Sequence, residues 1–190
     1  MALDTTNINK SRINLDELDE IWLFGYGSIM YKVDFPYLEK ARCYIKGWQR
    51  RFWQGSHDHR GTPDAPGRVL TLIEADESEI CEGMGFRVTP EEFEHLDHRE
   101  KNGYLRYQVP LYFDKPKHET KMGIVYIAPK DNAAYLGPAS IEDIAAQIKR
   151  CHGPSGPNIE YLLEFTNALR ALSIDDPHAF AIEQTLLSLQ

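Results

Sequence analysis

The 190-residue sequence predicts an α+β fold with strands in the first two thirds and helices in the C-terminal third. Short apolar or alternating runs, bounded by glycine, proline and polar residues, fill the first part of the chain. Apolar residues then recur at helical spacing, first at Ile141, Ile144, Ala145 and Ile148. Strands that cluster before helices favour an α+β domain over a doubly wound sheet, in which the two alternate.

Seven segments have the composition of strands. Residues 21–24 are continuously apolar and end at a glycine, which is typical of a buried strand. The other six segments are residues 42–45, 50–53, 69–73, 83–88, 104–113 and 122–127. Residues 54–68 are rich in glycine, proline, aspartate and histidine and are predicted to form a loop.

The predicted helices have recognisable ends. A short helix is expected after Thr89-Pro90-Glu91-Glu92, with Thr89 as cap and Glu92 completing a capping box. Asn102-Gly103 is expected to end it, because both residues tolerate a left-handed conformation. The later helices are predicted over residues 140–151, after a cap at Asn158, and after Asp176-Pro177.

Length and composition predict one domain over residues 20–190, preceded by a loose polar leader at residues 1–19. The leader lacks the apolar centre of a secretory signal. Three scattered cysteines, Cys43, Cys81 and Cys151, are too few for a disulfide framework or a zinc site. The simplest expectation is a reduced, cytoplasmic setting.

Charge restricts the class of partner. The net charge of −8 argues against nucleic acid or an anionic membrane, because both require a basic surface. No apolar run approaches the roughly 20 residues that span a bilayer. The expected partner is therefore a small molecule, and the oligomeric state is left open.

The Gly25-Tyr26-Gly27-Ser28 turn follows the first predicted strand. It lacks the Lys-Ser/Thr of a Walker loop, the third glycine of a dinucleotide fingerprint and the pattern of a nucleophile elbow. One interpretation is a set of backbone N–H groups that holds a carboxylate or an oxyanion. The other is an ordinary tight turn, which these residues alone favour.

Glu100 lies in the last turn of the predicted short helix, where the helix dipole disfavours a negative charge. If its carboxyl group also enters a pocket, desolvation raises its pKa and makes it a better proton acceptor near neutral pH. The alternative is a surface glutamate paired with Arg99 or Lys101, which the local sequence favours.

Other polar clusters have weaker interpretations. Neither His57-Asp58-His59 nor His95-x-x-His98 matches a zinc spacing, so no metal site is predicted. Cys151-His152 is expected to be structural, because neighbours in sequence rarely supply catalytic geometry. Four arginines either guide an anionic small molecule or balance acidic neighbours. They are Arg50, Arg51, Arg60 and Arg68.

Taken together, seven pieces of the chain resemble the glutathione-directed ChaC-type γ-glutamylcyclotransferases. They include Phe-Gly-Tyr-Gly-Ser at residues 24–28 and Arg-Glu-Lys-Asn-Gly-Tyr at residues 99–104. The remaining pieces are residues 50–56, 58–61, 66–72, 135–139 and 153–162. The resemblance covers roughly residues 21–185, and seven pieces in the right order are far more specific than any one of them.

The resemblance implies a small mixed β-barrel with flanking helices. It implies that Glu100 is the catalytic carboxylate, and that substrate binds along the segment after the first strand. The implied substrate-binding residues are Leu23, Phe24, Gly25, Tyr26, Gly27 and Ser28. The chain departs from the family pattern at Ile29, where leucine is commoner, and at Asn102, where a second glycine is frequent.

The implied reaction is cyclisation of the γ-glutamyl group of glutathione to 5-oxoproline, with release of cysteinylglycine and without a metal or organic cofactor. Two alternatives are open: cyclisation of other γ-glutamyl amino acids or amines, and non-catalytic binding of a γ-glutamyl peptide.

Overall fold

The computed structural model describes residues 4–114 and 118–189, which form two compact units. Of the described residues, the barrel unit contains 4–49, 72–114 and 118–129, and the helical unit contains 50–71 and 130–189. The expectation of one domain over residues 20–190 stays a prediction.

Each predicted strand matches an observed one: six lie within it and are extended by up to three residues at an end, and the predicted segment 104–113 begins one residue before the observed strand. The strands are β1 (Ile21–Gly25), β2 (Glu39–Lys46), β3 (Trp48–Ser56), β4 (Gly67–Glu74), β5 (Ile80–Val88), β6 (Leu105–Phe113), β7 (Thr120–Ile127), β8 (His152–Gly153) and β9 (Gly156–Pro157). The helices are α1 (Thr6–Lys10), α2 (Glu92–Arg99), α3 (Ile141–Arg150), α4 (Asn158–Ala171) and α5 (Pro177–Ser188). Strands cluster before helices, which confirms the predicted α+β class.

Five strands of the barrel unit close into a mixed barrel in the order β1-β5-β2-β6-β7. Neighbouring strands are antiparallel except β1 and β7, which are parallel where Leu23 pairs with Ile124. All five residues of β1 are buried, which explains why its sequence is apolar throughout rather than alternating. The barrel confirms the expected fold.

In the helical unit, α3 packs against α4 and α5, and β3 pairs with β4 in a two-stranded sheet. Ser140 caps α3 by accepting from the amide of Asp143, and Asp176 caps α5 by accepting from the amide of Ala179. Both helix starts were predicted. The buried apolar residues of these helices include Ile144, Ile148, Leu162, Phe165, Leu169, Ile182 and Leu186.

The predicted cap at Asn158 is wrong. Its amide instead spans the backbone of Arg68: Oδ1 accepts from the Arg68 N–H at 2.8 Å, and Nδ2 donates to the Arg68 carbonyl at 2.9 Å. Pro157 occupies the cap position without a side-chain bond. Asn158 therefore ties α4 to β4.

The observed structure at both ends of α2 also differs from the prediction. Glu91 precedes the helix and no side-chain bond caps its start, while Thr89 closes a turn through its carbonyl and the amide of Glu92. At the other end Gly103 alone takes the left-handed conformation, with φ +89°. Asn102 instead forms an isolated antiparallel bridge with Asp4.

The start of the chain is more ordered than the loose leader expected. Residues 4–19 belong to the barrel unit and contain α1 and a 3₁₀ turn at Leu15–Glu17. Asn9 on α1 is fully buried. Among the described residues, no helix has the length and apolar character needed to cross a membrane.

Candidate active site

The turn after β1 is tight because Gly25 has no side chain. A Cβ atom on Gly25 would lie 2.9 Å from Cγ2 of Ile29 and 3.0 Å from the amide nitrogen of Met30. The amide of Met30 donates to the carbonyl of Gly27 at 2.9 Å and begins a 3₁₀ turn over Ser28–Met30. The chain therefore reverses direction directly at the end of a barrel strand.

The reversal leaves two backbone donors for a ligand. Within residues 4–114 and 118–189, the N–H groups of Gly27 and Ser28 have no hydrogen-bond acceptor. Adjacent backbone donors of this kind bind carboxylates and stabilise oxyanions. The geometry favours the anion-binding interpretation of the turn over the ordinary one.

The other predicted substrate-binding residues support the turn from the core. The Tyr26 hydroxyl donates to the carbonyl of Tyr126 on β7 at 2.7 Å, which anchors the turn to the barrel. The side chains of Leu23 and Phe24 are buried in the core. Leu23 and Phe24 therefore serve the barrel, because their side chains fill its core and their backbones pair with β5.

Glu100 directly follows α2, and its amide donates to the carbonyl of Leu96 at 2.9 Å. Its side chain is only 14 % exposed. Burial is the main influence on its carboxyl group and raises its pKa above the ordinary value. Arg99 opposes this shift, and the negative charge of Asp34 reinforces it.

Arg99 links this carboxylate to the glycine turn. Its Nη2 donates to the hydroxyl of Ser28 at 3.1 Å, while its Nε lies 3.4 Å from Oε1 of Glu100. Its Nη1 donates to the carbonyl of Lys32 and to Asp34, both at 2.6 Å. From the local sequence, Arg99 is expected to be only a surface partner of Glu100. The pairing occurs, but both side chains are mostly buried and Arg99 also contacts the turn.

A buried carboxylate fixes the helix that precedes Glu100. Asp97 on α2 accepts two bonds from the guanidinium of Arg106, at 2.9 and 2.5 Å, and one from the Tyr126 hydroxyl at 2.6 Å. Burial and the charge of Asp97 raise the pKa of Tyr126, so its hydroxyl stays a donor. Because the backbone carbonyl of Tyr126 accepts a bond from the Tyr26 hydroxyl, the network joins α2 to the glycine turn. Sequence reasoning missed it, since its members are far apart in the chain.

All four arginines noted in the sequence have partners within the helical unit, where Arg51 donates from Nη1 to the carbonyl of Arg50 at 2.6 Å. Arg50 pairs with Asp176 at 3.3 Å and Arg60 with Glu160 at 3.2 Å. Buried Arg68 donates to one glutamine side chain and to two backbone carbonyls. For Arg50 and Arg60 this favours charge balance over guidance of a substrate.

The histidine and cysteine clusters form no reactive constellation. In the parts of the chain that the structure describes, no three or more His, Cys, Asp or Glu residues gather as metal ligands. Cys43, Cys81 and Cys151, which all lie in the described ranges, are buried and form no disulfide bond. Burial raises the pKa of Cys151, which opposes formation of a nucleophilic thiolate.

Comparison with known proteins identifies the family. The model of the ChaC-like protein family matches residues 21–188. The chain belongs to the ChaC-like family. This confirms the resemblance seen in the sequence, and the match begins at the first residue of β1.

Several named proteins are similar to this chain over most of their length. A glutathione-specific γ-glutamylcyclotransferase 1 of Danio rerio is 46% identical over 177 residues, covering 88% of this chain and 89% of that protein. γ-Glutamylcyclotransferase 2-3 of Arabidopsis thaliana is 45% identical over 168 residues, covering 83% of this chain and 84% of that protein. A crystal structure of a γ-glutamyl cyclotransferase specific to glutathione from yeast has a TM-score of 0.81 at 30% identity, covering 89% of this chain and 96% of that one.

Proposed function

We propose that this protein is a γ-glutamylcyclotransferase that cleaves glutathione into 5-oxoproline and cysteinylglycine. The observation that carries the proposal is the buried carboxylate of Glu100, joined by one guanidinium to the glycine turn. The glutathione-specific names of similar family members support the substrate. A buried base beside unused backbone donors is what acyl transfer from an amine-bearing substrate requires.

The glycine turn holds the γ-glutamyl group in this proposal. The N–H groups of Gly27 and Ser28 bind substrate oxygen, and the oxyanion that develops on the γ-carbonyl is the group that gains most from fixed donors. Because the attacking amine and the carbonyl belong to one molecule, folding of the γ-glutamyl arm supplies much of the rate increase.

Glu100 moves the proton. The substrate α-amine is mostly ammonium at neutral pH and must lose a proton before it attacks the γ-carbonyl carbon. Glu100 accepts that proton, and the new nitrogen–carbon bond closes the five-membered ring. The amide bond to cysteine then breaks as Glu100 returns a proton to the departing amine, and the ring nitrogen releases its second proton to leave the lactam N–H. The raised pKa of Glu100 suits both transfers.

The direct test is turnover of glutathione by purified protein treated with a chelator. We expect 5-oxoproline and cysteinylglycine in equal amounts by mass spectrometry. Glu100→Gln keeps the shape of the side chain and removes its basicity, so we expect loss of both products while the circular dichroism spectrum is unchanged. Turnover near the wild-type rate in Glu100→Gln would refute the role of this residue.

A broader substrate range is the second candidate, because the similar Arabidopsis protein is named a γ-glutamylcyclotransferase without a stated substrate. γ-Glutamyl-alanine, supplied at the same concentration as glutathione, separates the two. Equal rates would show that the Cys-Gly part of glutathione is not recognised. Tight binding of glutathione without products would instead indicate a binding protein. A cytoplasmic location stays a prediction.

A further inference from the structure

The first described residues of the chain lie against the segment that leaves Glu100. We call residues 4–12 the N-terminal strap and residues 101–106 the exit segment, which leads from Glu100 into β6. Asp4 and Asn102 pair as an antiparallel bridge, so the two segments are aligned from their first residues. The strap precedes residue 21, where the match to the family model begins.

Thr5 holds two carbonyl groups of the exit segment. Its amide donates to the carbonyl of Lys101 at 2.8 Å. Its hydroxyl oxygen lies 2.9 Å from the Lys101 carbonyl and 2.8 Å from the Tyr104 carbonyl, so its one proton serves either. Thr5 is almost fully buried, and water is therefore poorly placed to replace these bonds.

Asn9 holds the exit segment where it becomes β6. Its Nδ2 donates to the Tyr104 carbonyl at 3.0 Å, and its Oδ1 accepts from the Arg106 amide at 2.9 Å. The side chain is 0 % exposed and uses both ends of its amide on the backbone of the exit segment. Asn9 thus acts as a short length of neighbouring strand for the exit segment, whose Arg106 also pairs with Tyr126 of β7.

Arg12 completes the contact. Its Nε donates to the Arg106 carbonyl at 2.9 Å, and its guanidinium lies 4.8 Å from the ring centre of Tyr107. Arg106 is then fixed on both sides, since the strap binds its backbone and Asp97 on α2 binds its side chain. Along the chain, Glu100 lies between Asp97, which is bonded to the Arg106 side chain, and the exit segment, which the strap holds.

We propose that the N-terminal strap positions Glu100 for proton transfer by holding the backbone of the exit segment through Thr5 and Asn9. The inference rests on the proposed function of Glu100. Thr5 and Asn9 are positioning residues, because the contacts above are to backbone groups beyond the carboxylate and none is to Glu100 itself. Loss of their bonds frees the exit segment and displaces the carboxylate. General-base catalysis is sensitive to such a displacement, because the base must lie at the right distance from the proton it accepts.

The test compares two asparagines of the same region. Asn9→Ala removes both bonds to the exit segment. Asn14→Ala is the matched control, because the Asn14 side chain bonds only to Glu17 and to the amide of Asp16. We expect Asn9→Ala to lower kcat for glutathione by about tenfold to a hundredfold with KM changed less than about twofold, and Asn14→Ala to match wild type. Unchanged kcat in folded Asn9→Ala would overturn the proposal.

A milder pair keeps the test decisive if Asn9→Ala folds poorly. Thr5→Val removes the hydroxyl at nearly constant volume, and Thr5→Ser keeps it. We expect a lower kcat in Thr5→Val and recovery in Thr5→Ser, measured per folded molecule. A purely structural role would lower the unfolding midpoint of Thr5→Val and leave its kcat unchanged.

Two measurements by nuclear magnetic resonance do not depend on turnover. We expect the Arg106 amide to exchange its hydrogen about tenfold faster in Asn9→Ala, and the pKa of Glu100 to fall towards its ordinary value as the carboxyl group gains solvent. If wild-type protein fails to cleave glutathione, the proposed function fails, and the titration of Glu100 still decides the role of the strap. An identical titration in wild type and Asn9→Ala would then contradict it.

Discussion

Glu100 is subject to opposing influences on its proton affinity. Burial disfavours the carboxylate, the neighbouring Arg99 favours it, and Asp34 disfavours it again through repulsion. The net direction is a raised pKa, so desolvation outweighs the attraction of one adjacent cation. The same Arg99 holds Ser28, which makes it the residue through which the base and the glycine turn keep their spacing.

The two neighbouring charges predict opposite changes in the pH profile. Activity should rise with pH as Glu100 ionises. Arg99→Met removes the cation, raises the pKa of Glu100 further and should move the acid limb of kcat/KM to higher pH. Asp34→Asn removes the repulsion and should move that limb to lower pH. Arg99→Lys keeps the charge but loses the planar fork, so its limb should stay near wild type while kcat falls. Shifts of Arg99→Met and Asp34→Asn in the same direction would contradict this account.

Glu100 should also reduce the stability of the fold. Because its pKa is raised in the folded state, its protonated form stabilises the fold below the ordinary pKa, and this contribution is lost as pH rises through the folded pKa. Gln has no charge to bury. We therefore expect Glu100→Gln to have a larger free energy of unfolding than wild type at pH 8, and a smaller advantage at pH 4. Urea unfolding at both pH values measures the difference, and equal stabilities throughout would disagree with the expectation.

At the scale of elements, α2 depends on one buried ion pair. The helix has only 8 residues and no side-chain cap at its start, so its own hydrogen bonds stabilise it little. Phe93 and Leu96 bury its apolar side, and Asp97 ties it to β6 and β7 through Arg106 and Tyr126. The position of Glu100 at the helix end is therefore set by contacts outside the helix.

Variants of this network should differ in how much they lower the free energy of unfolding. Asp97→Asn leaves the buried guanidinium of Arg106 without its counter-charge, and we expect a loss of about 3–5 kcal/mol in the free energy of unfolding. Tyr126→Phe removes one bond while Asp97 stays paired, and we expect a loss of about 1–2 kcal/mol. Urea unfolding at neutral pH compares them. A smaller loss in Asp97→Asn than in Tyr126→Phe would contradict the ion pair as the main support.

At the scale of the whole molecule, the barrel unit contains all the predicted site residues, and the helical unit contains most of the other sequence pieces shared with the family. In the helical unit, His178 supports β3: its Nε2 accepts from the amide of Phe52 at 3.1 Å, which requires a neutral ring. Burial and the nearby Arg51 lower the pKa of His178 to about 4, against the weaker opposing effect of Asp176.

His178 predicts how the chain responds to acid. Its depressed pKa stabilises the fold above the ordinary value of 6.5, and this contribution is lost as pH falls from there to about 4. We expect about 2–3 kcal/mol less stability at pH 4 than at pH 7 from this residue. In His178→Gln, which does not titrate, that part of the pH dependence should disappear. Identical slopes between pH 4 and 6.5 in both proteins would exclude this role.

Much of the molecule was predictable because the responsible signals are local. The apolar run of β1, the period of α3 and the Asp176-Pro177 start of α5 each reflect which residues suit a strand, a helix or a cap. The Gly25 turn and Glu100 were also identified, because they lie in short motifs of the family. Two of the errors concern side chains with two possible bonding partners: Thr89 and Asn158 could each cap a helix, and neither does.

The sequence by itself determined the α+β class, strands β1–β7, helices α2–α5 and the residues proposed for the site. Tertiary structure alone decided the surroundings of those residues. It brought Arg99 to Ser28, Asp97 to Tyr126 and Asn9 to Arg106, pairs separated by 71, 29 and 97 positions. Such contacts leave no periodic pattern in the chain. The polar groups satisfy one another only after the barrel has closed and excluded water from them.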